Sequence, residues 1–571
     1  MKGNKVQKFD FSRERLSFLT DKFYREGKFL SALKYAYREL NAYDGDGELF
    51  ARFSDIYEGM NLQGTAINWW FRYLDIAEEE DLPEAYEGLA VNFLNLGQES
   101  ASAYYYNKLI DVDDTLTEES KFDIAEAFST SKKEKFRFVY PPRLADYSKE
   151  VSLGSSALKH GKMDKAIEEF SKVERGSKQY GQAMEMQAIA LLLSGKAEEA
   201  EKTCQQLLED EPNNIRAYAT LAAVYLEQGR KEESKALALR LTTMETDDAD
   251  DMYKIATVCC ENGLHEEAYK VFCALDKKIP FDGRMLYFKG VSAYKSGRLK
   301  EAISTLSDLC TVYPDAEVAK YYLNLLRDYE EEGGEAPETT YFYHVPQEER
   351  EKRCQSLVTI GKSSKEDAEL FGLLALHDGY FKWCFDEMDG ADHDLQYLGL
   401  VTAVHVHADD FIKEVMLDYE VIDVLKIETL RMLLERNEEM ELGMVLCNIY
   451  RRLNLPRIAV GRKRRKRFIE AFAKVASKFM VIRDLYGEKL RQAAERLYKA
   501  LAENEALDMV DNTDDLACAM FLLAGLKELG GNPEMIAGAF EADPLKVSEL
   551  LTAGAGVGQK DENEEKENEI D

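Results

Sequence analysis

KHGKMDKA at residues 159–166, LSGKAEEA at 193–200, EQGRKEES at 227–234, ENGLHEEA at 261–268 and KSGRLKEA at 295–302 are five renderings of one phrase. Their glycines, Gly161, Gly195, Gly229, Gly263 and Gly297, stand 34 residues apart. Five positions after each comes a small side chain: Ala166, Ala200, Ser234, Ala268 and Ala302. Seven positions before each comes another: Gly154, Ala188, Ala222, Ala256 and Gly290. Prolines close three of the units, at Pro212, Pro280 and Pro314. The spacing is that of a helical hairpin repeated in tandem. Small residues on both helices let the backbones approach at their crossing, glycine permits the turn, and proline halts the second helix. Leu153, Leu221, Tyr225, Phe170 and Phe272 supply the filling. One hairpin cannot bury its apolar face alone, so neighbouring units must stack into a superhelix.

These residues resemble the tetratricopeptide repeat family, with units beginning near Tyr147, Gly181, Ile215, Ala249 and Gly283. More divergent copies begin near Arg13, Gly47 and Pro83, carrying Gly27 with Ala32, Ala66 with Trp70, and Gly97 with Ser102 and Tyr106. The second of these has Asn61 where glycine is expected. The resemblance covers roughly the first 330 residues. It implies an all-α fold, a superhelix of helical hairpins (a solenoid), followed by a second all-helical domain.

The expected organisation has three divergent units over 1–116 and an irregular connection over 117–146, where a Tyr-Pro-Pro segment breaks the register. Five units with a capping helix over 318–331 follow, to residue 333, and then a linker over 334–364. From 365 to 553 the rhythm is helical but different. Leu374, His377 and Phe381 recur thirty residues on as Val404, His407 and Phe411, an echo of the HEAT sort. Phe468, Phe472, Val475 and Phe479 mark an amphipathic helix. Residues 554–571, ending DENEEKENEID, are too polar and acidic to fold.

Composition narrows the function classes. The net charge of −33, from 74 basic and 107 acidic side chains, makes a surface that repels bulk nucleic acid and anionic membrane. No apolar run approaches a membrane span, and MKGNKVQKFDFSRERL lacks the apolar core of a signal peptide. Nine cysteines without a CxxC pair read as reduced interior residues. A cytoplasmic protein is the expectation.

By the family resemblance, ligand contacts come mostly from the inner helix of each unit. In the first three units those positions carry Glu14, Asp21, Tyr24, Glu48, Asp55, Glu58, Glu84 and Glu87, with Ser17, Ala51, Val91 and Leu94 and no basic residue. Several carboxylates sharing one channel call for a cationic partner, against the plainer reading of solvated surface charge. The later units present Arg216, Tyr253, Arg284, Tyr287, Val291 and Tyr294, an apolar and aromatic surface suited to a peptide with apolar anchors. The Lys, Asn and Arg clamp of chaperone-binding members is missing: Val151, Ser155, Glu185, Ala219 and Tyr253 stand where such residues belong.

A basic stretch, RRLNLPRIAVGRKRRKRF at 451–468, holds nine cations and no acid. Arg462, Lys463, Arg464, Arg465, Lys466 and Arg467 stand at the start of the amphipathic helix, where cations oppose the helix dipole. Phosphate-rich nucleic acid or an acidic protein surface would suit them, and the plain alternative is neutralisation by nearby carboxylates. Residues 533–551 mimic a helix-turn-helix but lack exposed bases for DNA, so packing within the domain is expected. His377, His393, His405 and His407 cluster in sequence without a metal-binding spacing, and GAGVG at 554–558 lacks the strand a dinucleotide loop requires. No paired nucleophile and base is found, and no catalytic residue, metal or cofactor is assigned. The reading is a non-enzymatic scaffold or adaptor that binds a polypeptide, with the N-terminal groove suited to a basic segment. A regulator contacting RNA or DNA through 451–468 is the alternative.

Overall fold

The computed structural model describes residues 12–113, 116, 147–386, 392–526 and 533–555. The expected connection at 117–146 and, from 556 on, the acidic tail drawn over 554–571 lie outside these residues, residues 554 and 555 being helical. The chain divides into two compact units, one of Met1–Ser129, Gln347–Phe385 and Ala391–Asp571, the other of Thr130–Pro346 and Asp386–Gly390.

The second unit is the regular array. Its hairpins are α7 Ser148–Lys159 with α8 Met163–Ser171, α9 Tyr180–Leu193 with α10 Ala197–Asp210, and α11 Ile215–Glu227 with α12 Lys231–Leu241. They continue as α13 Ala249–Glu261 with α14 His265–Leu275, and α15 Gly283–Lys295 with α16 Leu299–Val312. The cap is α17, Glu317–Glu332, which buries Val318, Tyr322, Leu323 and Leu326 on one face. Every turn glycine of the repeated phrase has a positive φ, from 67° at Gly263 to 82° at Gly297, a conformation that costs a side-chain-bearing residue dearly. The helix crossings also have the expected tightness. A methyl group on Gly154 would come within 2.6 Å of the Phe170 ring, and one on Gly290 within 2.9 Å of Leu306. Ala222 and Ala268 are fully buried.

The first unit begins with three further hairpins: α1 Arg13–Arg25 and α2 Phe29–Ala42, α3 Gly47–Gly59 and α4 Gln63–Ile76, α5 Leu82–Asn95 and α6 Glu99–Val112. Asn61 takes the glycine role with φ 62°, as asparagine does more readily than most side chains. The sequence draws 1–116 and 365–553 as separate domains, but these regions share one compact unit. The linker drawn over 334–364 also ends early, because Gln347–Gly361 is a helix, α18. It is followed by α19 Lys365–His377, a short α20 Tyr380–Trp383, α21 His393–His405, α22 Asp409–Leu417 and α23 Asp423–Arg436. Phe381 and Phe411, the echoed aromatics, stack at 5.4 Å.

One non-helical element among the described residues was not foreseen. Met440–Leu446 (β1) and Ile449–Leu455 (β2) form an antiparallel hairpin in which Leu446 pairs with Ile449. Its two turn residues, Cys447 and Asn448, both have positive φ, 50° and 63°, the geometry of a tight hairpin turn whose twist matches the strands. The start of the basic stretch therefore lies on a strand. The remaining helices are α24 Arg465–Phe479, α25 Leu485–Glu503, α26 Thr513–Leu523, α27 Pro533–Ala539 and α28 Pro544–Ala555. Phe468, Phe472, Val475, Leu490, Leu497, Leu516 and Met520 are buried among these helices. The helix-turn-helix look-alike buries Ala537, Val547 and Leu550.

The hairpin explains why the first unit is one body. It docks on α4 and α6, the second helices of their repeats, burying Leu417 and Val445 in a cluster with Ile67, Phe71, Phe93 and Tyr105. Gly443 is required there, since a methyl group would overlap the Asp75 carboxylate. Asp75 Oδ1 accepts from the Tyr450 hydroxyl at 2.7 Å, and the Arg452 guanidinium donates to the Asp75 carbonyl. Asn68 in α4 accepts the backbone N–H of Tyr419 at 3.1 Å and donates to Asp418 at 3.0 Å. Beneath these contacts Lys426 is buried. Its ammonium donates to the carbonyls of Asp418 at 2.5 Å and Val445 at 2.8 Å, and burial lowers its pKa to about 8.

Candidate functional site

The first helices α1, α3 and α5 carry the acidic residues expected to line the N-terminal groove. The structure sorts those seven carboxylates into two sets. Arg52 of α3, outside the expected positions, pairs with Glu48, lies 3.3 Å from Asp21, and donates to Ser17 Oγ at 3.0 Å. Local charge is thus partly balanced at the first unit, and Arg13 does the same for buried Glu39 at 3.3 Å. Glu14 is exposed. The family-based positions could not flag Arg52, because it stands one place beyond Ala51, an expected contact position.

The second set is Asp55, Glu58 and Glu84, with Asp21 at its edge. Glu58 Oε1 is fixed by the Trp70 indole N–H at 3.0 Å and by Asn92 Nδ2 at 2.6 Å. Glu84 Oε2 accepts from the Tyr73 hydroxyl at 2.9 Å. Both anions are held by neutral donors, so neither loses its charge to a cation. Asp55 makes no ion pair among the described residues. Its pKa is pushed up to about 6, by burial first and then by Glu58, Glu84 and Asp21. Solvent reaches its side chain. Tyr24 feels the same field: burial, then Asp55 and Glu58, raise its pKa. Glu87 is exposed on α5.

The later groove is built differently from the expected open surface. Arg216 is engaged by Asp251 at 2.9 Å, with Asp248 and Asp250 at 3.6 and 3.7 Å. Tyr253 packs edge-on against Phe272 and Phe288, at 6.3 and 6.0 Å. Tyr287 and Val291 are buried, while Arg284 is exposed. The cover over Tyr287 and Tyr294 is the chain itself. Tyr294 donates its hydroxyl to the Pro337 carbonyl at 2.9 Å, and Tyr287 to that of Thr340 at 2.9 Å. Residues 336–345, read from sequence as part of a linker, lie along α15 and α17.

The basic cluster is part neutralised and part open. Lys463 reaches Asp508 at 2.9 Å, Arg464 lies 3.7 Å from Asp511, Lys466 lies 3.7 Å from Glu470, and Arg467 donates to the Val510 carbonyl at 3.1 Å. The contacts of Lys463, Arg464 and Arg467 hold the cluster against residues 508–511. Arg462 and Arg465 are exposed and make no ion pair among the described residues. The helix itself begins at Arg465, after Arg464 with φ 60°.

Of the clustered histidines, His405 bonds the Ser363 carbonyl at 3.1 Å, His393 bonds Gln396 at 3.1 Å and His407 lies 3.7 Å from Glu438. The His377 side chain lies outside the described residues. Among the described residues no group of three or more His, Cys, Asp or Glu is placed to hold a metal ion, and no helix is long and apolar enough to cross a membrane.

Residues 151–215 and 191–259 match two family models, each described as tetratricopeptide repeat. No curated protein matches the chain. Among solved structures, yeast Tom70 is 13% identical with a TM-score of 0.26, over 93% of this chain and 99% of that one. The Cut9 and Hcn1 hetero-tetramer of APC/C is 11% identical with a TM-score of 0.24, over 95% and 96%. The TPR2AB domain of yeast Sti1, in complex with pHSP90, is 14% identical with a TM-score of 0.20, over 47% and 98%. Likenesses at this level leave the fold reading on the repeats themselves.

Proposed function

From the premise that this chain carries tetratricopeptide repeats, we propose that it is a non-enzymatic interaction scaffold whose N-terminal groove, on α1, α3 and α5, binds a basic polypeptide segment. The observation that carries this is the trio Asp55, Glu58 and Glu84 on α3 and α5, none of which makes an ion pair among the described residues. Neutral donors from Trp70, Asn92 and Tyr73 orient the neighbouring anions, so their charge stays available. A lysine or arginine entering the groove would remove the mutual repulsion, which gives differential affinity for cations.

The test is calorimetry of the full chain with a synthetic basic peptide, for which residues 451–468 serve as the probe. Binding is expected at low ionic strength, weakening toward physiological salt as charges are screened. It should be lost in a D55N/E84Q variant. Absence of heat at low salt would overturn the reading.

A second reading draws on Arg462 and Arg465, which are exposed and lack internal counter-ions among the described residues. It is contact with RNA or DNA phosphates through 451–468. Gel shifts at low salt decide it, with a steep salt dependence and loss in R462A/R465A expected if phosphates are bound.

A further inference from the structure

The segment that crosses the later groove is held as a ligand would be. Gly333 and Gly334, with φ 71° and 107°, turn the chain back after α17. Three tyrosines of α15 and α17 then read its backbone. Tyr294 donates to the Pro337 carbonyl at 2.9 Å, Tyr287 lies 2.9 Å from the Thr340 carbonyl and 3.3 Å from that of Phe342, and Tyr322 donates to the His344 carbonyl at 2.9 Å. Carbonyls are common to every polypeptide, so these contacts hold the backbone without selecting sequence.

Side-chain selection comes from two aromatics with one residue between them. Tyr341 shares a hydrogen bond with His265 Nδ1 at 2.9 Å and lies against Phe288 at 6.0 Å. Tyr343 stands edge-on to Tyr287 at 4.8 Å and donates to Asp386 Oδ1 at 2.9 Å. Phe342 between them is 69% exposed, at a place where the chain bends. The fit is incomplete: Thr339 Oγ1 is buried without a hydrogen-bond partner, a cost an outside ligand need not carry. The segment's own amides turn inward, Phe342 N–H to Thr340 Oγ1 at 3.1 Å and His344 N–H to the Phe342 carbonyl at 2.9 Å.

We propose that residues 336–345 are an exchangeable internal ligand of the surface on α15 and α17, and that its external occupant is a polypeptide segment with an aromatic-x-aromatic pair in the register of Tyr341 and Tyr343. The proposal rests on reading the chain as a polypeptide-binding scaffold, but it concerns a groove other than the acidic one. Tethering at both ends gives the internal segment a high effective concentration, so it outcompetes weak ligands until the tether's advantage is lost.

The probe is a fluorescent peptide of residues 334–346, added to the full chain. Wild type should bind it poorly, because the site is filled. A Y341A/Y343A chain should bind it at least tenfold more tightly, and a peptide carrying the same two substitutions should not bind. Hydrogen exchange on the wild type gives a second readout that needs no variant. Amides of 338–345 should exchange at least tenfold faster than those of α15, since the segment opens without global unfolding. Should the variant lose its helical signal, the exchange result decides alone. A folded variant that ignores the peptide, or segment amides as protected as α15, would overturn the proposal. Basic-peptide binding by the acidic groove is measured separately, so either idea can fail without the other.

Discussion

The Tyr105 hydroxyl donates to the carbonyl of Asn448 at 2.8 Å and accepts the backbone N–H of Tyr450 at 3.1 Å. One side chain on α6 thus satisfies both polar groups at the tip of a β-hairpin far away in sequence. Buried backbone groups left unpaired would be costly, so the third repeat and the hairpin stabilise each other.

The docking predicts a contrast between two glycines. G443A should destabilise the first unit by about 1–3 kcal/mol, because the added methyl meets Asp75 at a tightly packed contact. G538A in α27 has open space around the new methyl, and should be neutral or stabilising by up to about 1 kcal/mol. Urea melts of the two variants check this, and equal effects would contradict the docking geometry.

The repeat register predicts that A222L and A268L are each destabilising by roughly 1–3 kcal/mol, since both side chains are fully buried at helix crossings. Unchanged melts for both would mean the crossings are not where the 34-residue phrase puts them.

Asp55 predicts a pH-dependent affinity. Its folded pKa, about 6, lies above the ordinary carboxylate value of roughly 4. Between those values the folded chain holds a proton that the unfolded chain has released, so stability falls as pH rises through about 6. A cationic ligand favours the ionised form, so basic-peptide affinity should rise over the same window. D55N should remove that step and stabilise the free protein at pH 7 by about 1 kcal/mol, a figure kept small because solvent screens the group. Calorimetry across pH 5 to 7 supplies the comparison.

Asp386 predicts a second pH effect, at the crossing segment. It accepts from the Tyr343 hydroxyl and, at 2.6 Å, from the Val318 N–H. Burial nevertheless pushes it up to about 7, and Glu317 and Asp315 act in the same direction. The native state therefore binds more protons than the unfolded chain up to about pH 7. The stability of the second unit should fall as pH rises from roughly 4 to that point and then level off. Thermal melts of the wild type should show the decline, and D386N should flatten it.

What the sequence determined by itself was the array: its period, its turns and the small residues at its crossings. All of these are local consequences of a helix pair repeating every 34 residues, so Gly161 or Ala222 can be interpreted without knowing anything distant. The placement of the seven carboxylates on the first helices of their repeats was legible for the same reason, since a fixed repeat puts fixed positions on fixed helices. Tertiary structure decided which of them keep an unbalanced charge. Arg52 compensates Asp21 and Glu48, whereas Asp55 has no such cation and is raised by burial first and then by Glu58, Glu84 and Asp21. It also decided that the hairpin at 440–455 docks on the second and third repeats. The turn Cys447-Asn448 lacks the glycine that usually announces such a turn, and the partner residues Asp75 and Tyr105 are hundreds of positions away. It decided too that 336–345, polar and proline-bearing enough to read as a linker, crosses a groove of tyrosines. The attraction there is hydroxyl to carbonyl, and a carbonyl leaves no trace in the sequence because every residue has one.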